Sequence, residues 1–159
     1  MAAVADTSPL ILLAKVNRLT LLQDLYGDVL IPPLVAMEVR AKPDSTPPEL
    51  DQFIGSGRIR VPQNRAQVQR LSVHLGMGEA EAIALASELP GAVLIMDDAE
   101  GRRAAQRLGV RVTGVLGVLI KAKVRGIIPA IAPILDQLVA EGFWLSEAMR
   151  RSVLDAVGE

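Results

Sequence analysis

Three aspartates directly follow two short apolar runs of the sequence. Asp6 comes after "AAVA", and Asp97 and Asp98 come after "VLIM". Short apolar runs that alternate with helical segments predict a parallel sheet, in which ligands bind at the carboxyl ends of the strands. We therefore expect these carboxylates, which are distant in the sequence, to meet at one edge of the sheet.

Two further acids lie on predicted helices and could join this group. Glu38 borders the apolar stripe of "PLVAMEVRAK", and Glu79 opens "GEAEAIALA" after the flexible "GMG", with Glu81 two residues later. Each also has a simpler interpretation, because exposed glutamates are common at helix edges and acids in a first turn suit the helix dipole. For Glu81 the dipole interpretation is preferred.

Helix capping competes with chemistry as the explanation of the aspartates. Asp6 could form a turn between a strand and a helix, but Ser8 and Pro9 already predict the N-cap and first residue of that helix. Asp98 is a natural N-cap for "AEGRRAA". One helix start needs one cap, so we expect Asp97 to serve another purpose.

Carboxylates gathered at one edge would repel one another unless they held protons or bound a cation. Hard oxygen ligands select Mg²⁺ or Mn²⁺. Such an ion can activate water and neutralise the charge of a phosphodiester transition state. The acidic group therefore predicts metal-dependent chemistry on an anionic substrate.

The elements that must bring these residues together form an α/β domain. We predict a three-layer α/β/α fold with a short central parallel sheet and extra C-terminal helices. Residues 1–126 would form the core, and residues 127–159 a helical extension packed on the same domain. The pattern favours strands at "AAVA", "DVLIP", "AVLIM" and "VRVTG", a possible edge strand in "GRIRVP", one or two helices in "SPLILLAKVNRLTLLQDLYG", a loop at "PDSTPPEL" and two tail helices that meet near Gly142.

The composition excludes several classes of protein. The 159 residues include no cysteine, which excludes disulfides and thiolate metal sites and is compatible with the expected location, the cytoplasm. We find no signal peptide and no apolar run long enough for a membrane span. Because the net charge is −1 and aromatic residues make up 3%, nucleic acid would bind through a local basic patch or a bound cation and not by base stacking.

Other catalytic patterns lack support. No GxGxxG follows a strand, and neither GxxxxGK[ST] nor GxSxG occurs. The single histidine, His74, lies near a helix end, where a surface or dipole role is expected. A phosphoacceptor receiver domain would have its acidic pair after the first strand, whereas here the pair comes late.

The whole pattern resembles the PIN domain, the metal-dependent nuclease fold of the toxins in VapBC toxin–antitoxin pairs, and more narrowly its DUF3368 branch. The resemblance covers nearly the whole chain, and the ordered set of Asp6, Glu38, "GEAEAIALA" and "MDDAEGRR" is fairly specific. It implies a Mg²⁺- or Mn²⁺-dependent endoribonuclease, a homodimer and a cognate antitoxin that inserts a segment near the site.

The acids of the family carry over one at a time. Glu79 matches the acid before the Ala-rich helix better than Glu81, because "AIALA" then falls in register. For the late strand, the common toxin pattern favours Asp98 and the branch's own "DD" pattern favours Asp97, so both stay candidates. The implied catalytic and metal-binding residues are Asp6, Glu38, Glu79, and Asp97 or Asp98.

Val115 departs from the branch, which usually has threonine after the glycine that ends "VRVTG". A hydroxyl expected near the metal is therefore missing unless Thr113 replaces it, and this puts full activity in doubt. The resemblance also implies that Thr7 or Ser8 assists the metal site.

Three arginines begin just past the late aspartates and are predicted to hold the RNA backbone, with a solvated helix face as the alternative. Two other functions stay open, namely a non-catalytic PIN-like module that binds RNA or protein, and a free-standing RNA-processing nuclease without an antitoxin. The predicted RNA-binding residues are Arg102, Arg103 and Arg107.

Overall fold

A four-stranded parallel sheet lies at the centre of the fold. The structure, a computed structural model, describes residues 2–42 and 47–159. The strands are short and apolar, as expected for a parallel sheet that is covered on both faces. Their order in the sheet is β2-β1-β3-β4, and the parallel α/β prediction is confirmed. The strands are β1 (Ala3–Ala5), β2 (Val29–Leu30), β3 (Val93–Ile95) and β4 (Arg111–Thr113).

Helices cover both faces of this sheet. The helix that begins within the "GMG" segment packs against β1 and β3, flanked by its neighbours in the chain, whereas the helix after β4 packs against β4 and against the helix after β1. In the described residues the helices are α1 (Thr7–Lys15), α2 (Thr20–Tyr26), α3 (Pro33–Arg40), α4 (Pro48–Gly55), α5 (Arg65–Ser72), α6 (Met77–Glu88), α7 (Ala99–Arg107), α8 (Val115–Val124), α9 (Ala132–Ala140) and α10 (Glu147–Ala156).

The first helix begins earlier than the sequence predicts. Asp6, and not Ser8, stands at the N-cap position of α1, and its side chain makes no capping hydrogen bond. Pro9 is tolerated at the third helical position because the first backbone N–H groups of a helix have no partner in the helix. The prediction that Ser8 caps α1 was therefore wrong, and capping does not explain Asp6.

The predicted loop "PDSTPPEL" falls partly outside the described residues, which exclude positions 43–46. Its last three residues already belong to α4, which begins at Pro48. The possible edge strand is reduced to one parallel bridge, between Ile31 and Ile59. Within the described ranges, no helix has both the length and the apolar character needed to cross a bilayer.

The C-terminal helices share the core of the sheet domain. Leu135 and Leu138 of α9 and Val153 of α10 belong to the same buried cluster as the strands. Between the two helices, Gly142 adopts a φ of 94°, a conformation that favours glycine. The tail therefore packs as two helices, and a boundary at residue 126 stays a prediction.

Candidate functional site

The pairing of β1 with β3 brings the aspartates together. Ala5 is aligned with Ile95, and the backbone nitrogen of Asp6 donates a hydrogen bond of 3.0 Å to the carbonyl oxygen of Ile95. Neighbouring strands lie ~4.8 Å apart, so Asp6 leaves the sheet beside Asp97 and Asp98. The predicted meeting of the three residues at one sheet edge is thus observed.

Asp6 is the most buried of these acids. Its residue is only 6% exposed, and among the described residues its Oδ1 atom has no hydrogen-bond partner. Burial raises the pKa of Asp6 to about 6, and the negative charges of Glu38, Asp98 and Asp97 add to the rise, while the Thr7 backbone N–H opposes it. An oxygen that is buried without a donor is costly unless it binds a proton or a cation.

Glu38 reaches the same site from α3. Thr7 donates a hydrogen bond of 2.6 Å from its hydroxyl to Glu38 Oε2. The carboxylate also lies against the first turn of α6, where a Cβ atom added to Gly78 would come within 2.8 Å of its Cδ atom. Glycine at that position therefore lets the glutamate approach the positive end of the α6 dipole.

Glu79 and Asp98 face each other across the site. Burial raises the pKa of Glu79 to about 7, followed by the charges of Asp98, Asp6 and Glu38 and by a side-chain hydrogen bond with Asp98. Asp98 also caps α7, since its Oδ2 accepts a hydrogen bond of 2.8 Å from the Gly101 nitrogen. The predicted cap is observed, and this aspartate also takes part in the acidic cluster.

Asp97 turns toward a different helix. The backbone nitrogen of Val115, the first residue of α8, donates to Asp97 Oδ1 at 3.2 Å and to Oδ2 at 3.4 Å. Burial raises the pKa of Asp97, and that hydrogen bond and the charge of Arg102 lower it. Capping therefore serves both aspartates, because two helices begin beside β3, and the argument that one cap leaves Asp97 free was wrong.

The three predicted RNA-binding arginines differ in their surroundings. Arg102 is half-buried and donates a hydrogen bond of 3.2 Å from Nη1 to the carbonyl oxygen of Met96. A Cβ atom added to Gly114 would lie only 2.9 Å from the Nη1 atom of Arg102. Arg103 and Arg107 are exposed on α7. Arg102 is thus engaged with the strand end, whereas the other two are open to a ligand.

Glu81 has a contact that its sequence position did not reveal. It is 2% exposed, accepts a hydrogen bond of 3.0 Å from the Leu34 nitrogen, and pairs at 2.7 Å with Arg65. α3 starts at Pro32 and Pro33, which offer no capping side chain, so its first free N–H needs an acceptor from elsewhere. The proline pair was the available signal, and the dipole interpretation of Glu81 was wrong.

Thr113 does not supply the hydroxyl that the resemblance leads us to expect near position 115. Val115 is fully buried in the core, and its backbone, not its side chain, contacts the site. The Thr113 hydroxyl lies over Gly117, where an added Cβ atom would overlap it. Ser8 is exposed, which leaves Thr7 as the hydroxyl that contacts a carboxylate of the cluster.

The donor set fits a hard divalent cation in type and charge. Across residues 2–42 and 47–159, no three histidine or acidic side chains stand as a ready set of ligands. The charges of Glu38 and Asp98 nevertheless lie close enough to Asp6 and Glu79 to raise the pKa of those two acids. Carboxylates that lie this close together repel one another unless they hold protons or bind a cation.

Comparison with known proteins identifies the family of the chain. No curated protein and no solved structure matches the sequence. A family model described as DUF3368, a PIN domain, matches residues 2–159. The chain therefore belongs to the DUF3368 family of PIN domains.

Proposed function

We propose that the chain is a metal-dependent endoribonuclease and the toxin of a VapBC-like toxin–antitoxin pair. PIN domains are generally nucleases and typically use divalent metal ions. The proposal rests on the Oδ1 atom of Asp6, which is buried and has no hydrogen-bond partner among the described residues. It lies at the edge of the sheet where the neighbouring strand, β3, leads to Asp98. A cation is the partner that such an oxygen lacks.

Four carboxylates would hold the ion, namely those of Asp6, Glu38, Glu79 and Asp98. When bound, Mg²⁺ or Mn²⁺ would supply an activated water and neutralise charge on the phosphodiester. Thr7 orients Glu38 through its hydroxyl. Asp97 acts as a positioning residue, because its oxygens accept from the first residue of α8 and its charge lies beside Arg102.

A non-catalytic PIN-like module is the second candidate. Two observations favour it, namely the lack of a ready three-ligand group among the described residues and the apolar side chain of Val115 at the position of an expected hydroxyl. Such a module would bind RNA or protein without cutting. It would retain the fold, because the core does not depend on the metal site.

The decisive experiment measures cleavage of RNA with Mg²⁺, with Mn²⁺ and with EDTA. We expect cleavage with either metal and none with EDTA, and we expect Asp6→Asn and Asp98→Asn to lose it. Asp24→Asn is the matched control, because Asp24 is exposed on α2 and the substitution removes the same charge. Folded protein that binds RNA but cuts it with neither ion would support the module instead.

The antitoxin and the homodimer are separate parts of the proposal. A small protein encoded beside the gene and co-purifying with the chain would identify the antitoxin, and its absence would favour a free-standing nuclease. We propose Trp144 as part of the dimer contact, because at 83% it is the most exposed large hydrophobic residue among those described. Trp144→Ser should then shift the sedimenting species from dimer to monomer.

A further inference from the structure

A cleft between α5 and α7 lies outside the carboxylate cluster. Its volume is about 460 Å³. Arg70 and His74 line one wall, and Arg103 and Arg107 line the other, with Glu100 as the acid among them. The chain as a whole has a net charge of −1, so this concentration of arginine is local.

Both walls of the cleft lead to the acidic cluster. On one side His74 precedes Glu79 by five residues, and on the other Glu100 follows Asp98 by two residues. α5 and α7 each pack against α6, the helix that carries Glu79. The end of the cleft at Glu100 is therefore next to the start of α7, where Asp98 is the N-cap.

We propose that this cleft binds the phosphodiester backbone of single-stranded RNA next to the bond that is cut. The inference rests on the proposed nuclease function and adds the path of the substrate. Arg103 and Arg107 are four residues apart, so they project from the same face of α7, about 6 Å apart along its axis. Guanidinium groups bind phosphate oxygens with two parallel hydrogen bonds.

Arg70 completes the basic lining from α5. Its Nη2 atom donates a hydrogen bond of 2.6 Å to Gln67 Oε1, which orients the guanidinium and leaves its other donors free for phosphate. Among the described residues the lining contains no Phe, Tyr or Trp, so stacking of successive bases on large aromatic side chains is not available. The cleft is therefore suited to the backbone and tolerant of base sequence.

An acidic protein segment is the competing occupant. A helix with side chains is a cylinder ~10–12 Å wide, so two turns would fill roughly 1000 Å³. An open cleft of about 460 Å³ cannot enclose such a helix. An extended single strand fits the space better, and the basic walls complement its phosphates.

The test measures binding of a short fluorescent single-stranded RNA of mixed sequence by anisotropy in EDTA, where no cleavage occurs. We expect Arg103→Gln and Arg107→Gln each to weaken binding about fivefold to tenfold at low salt. Each should also lower the slope of log K against log salt by about 1. Glu100→Gln should strengthen binding, because it removes the negative charge that Glu100 contributes to the lining.

Arg151→Gln is the matched control, since Arg151 is exposed on α10 and loses the same charge. An oligonucleotide with uncharged methylphosphonate linkages should not distinguish wild type from Arg103→Gln. Wild-type protein that does not bind RNA, or cleft variants that bind like Arg151→Gln, would overturn the inference.

A polyglutamate peptide that binds the wild type more tightly than RNA, and loses affinity in the same variants, would also overturn the inference. The cleft would then be a site for an acidic partner. Failure of the nuclease proposal looks different, because RNA binding would follow the cleft charges while no metal restores cleavage. Cleavage that persists with unchanged KM in the cleft variants would leave the nuclease standing without this substrate path.

Discussion

The carboxylate of Glu81 accepts a hydrogen bond from the backbone nitrogen of Leu34, over a distance of 3.0 Å. This contact ties the start of α3 to the interior of α6. Glu38 lies one turn further along α3, so the same contact fixes the position of its carboxylate relative to α6 and the cluster. Glu79, two residues before Glu81 on α6, faces the cluster itself.

Replacing Glu81 should therefore cost stability, whereas replacing Glu79 should not. Glu81→Ala leaves the half-buried Leu34 N–H without an acceptor, which costs about 1–2 kcal/mol of unfolding free energy. Arg65 is 52% exposed at its side chain, so it stays solvated after the change. The measurement is urea denaturation in EDTA.

Glu79→Ala is the paired control on the same helix. It removes a carboxylate that lies near three others, so the metal-free stability should stay level or rise while metal-dependent cleavage is lost. Equal losses of stability in the two variants would contradict the separate roles assigned to Glu81 and Glu79.

The burial of Asp6 predicts a particular dependence of stability on pH. The pKa rises from 3.8 to about 6 on folding. A raised pKa contributes stability that is fully present below about pH 4 and is lost as the pH rises through about 6. Asp6→Asn does not titrate. In EDTA, the unfolding free energy of the variant minus that of wild type should therefore increase by about 2–3 kcal/mol between pH 4 and pH 8.

Glu79→Gln should shift stability in the same direction at a higher pH, since its pKa rises from 4.5 to about 7. Asp24→Asn, at an exposed position of α2, serves as the control for the loss of one carboxylate. If the difference in unfolding free energy between Asp6→Asn and wild type stays constant from pH 4 to pH 8, the assignment of Asp6 as a desolvated acid is wrong.

Gly78→Ala tests the close approach of Glu38 to α6. Alanine favours a helix by about 1 kcal/mol over glycine, so the free energy of unfolding should not fall by much. The added Cβ would meet the Glu38 carboxylate, which must then move. We expect Mn²⁺ affinity, measured by calorimetry, to fall about tenfold.

Gly55→Ala is the matched substitution, because an added Cβ at this helical position meets no atom within 4 Å. It should raise stability slightly and leave Mn²⁺ affinity unchanged. If both glycine variants bind Mn²⁺ like wild type, Glu38 does not hold the ion from its present position.

Asp98 and Asp97 can be separated by asparagine substitutions, which preserve a capping oxygen. Asp98 shares charge and a hydrogen bond with Glu79, whereas both oxygens of Asp97 face the Val115 nitrogen. Asp98→Asn should weaken Mn²⁺ binding by more than about a hundredfold, and Asp97→Asn by about tenfold, as for a positioning residue. The reverse order would make Asp97 the ligand.

The sheet and the meeting of its aspartates could be predicted because short, fully apolar strands such as "VLIM" have few alternatives to a parallel sheet. The start of α1 could not, because Ser8 and Pro9 fit a first turn as well as a cap and the sequence does not distinguish the two positions.

The roles of Glu81 and Asp97 were beyond the sequence for a common reason. Each accepts from the backbone of a helix that is distant in the chain, at Leu34 and at Val115. A backbone N–H is present at almost every residue, so no residue type marks the partner. Only the packed arrangement of helices decides which acid receives it.

Asp97 and Asp98 stand side by side in the chain, yet they fasten the beginnings of two different helices, α8 and α7. The length of the peptide between β3 and α7 is therefore fixed by both contacts. Adding or deleting one residue there would turn each side chain away from its anchor and loosen both helices together. A change in the length of this short junction would therefore disturb two helix starts at once.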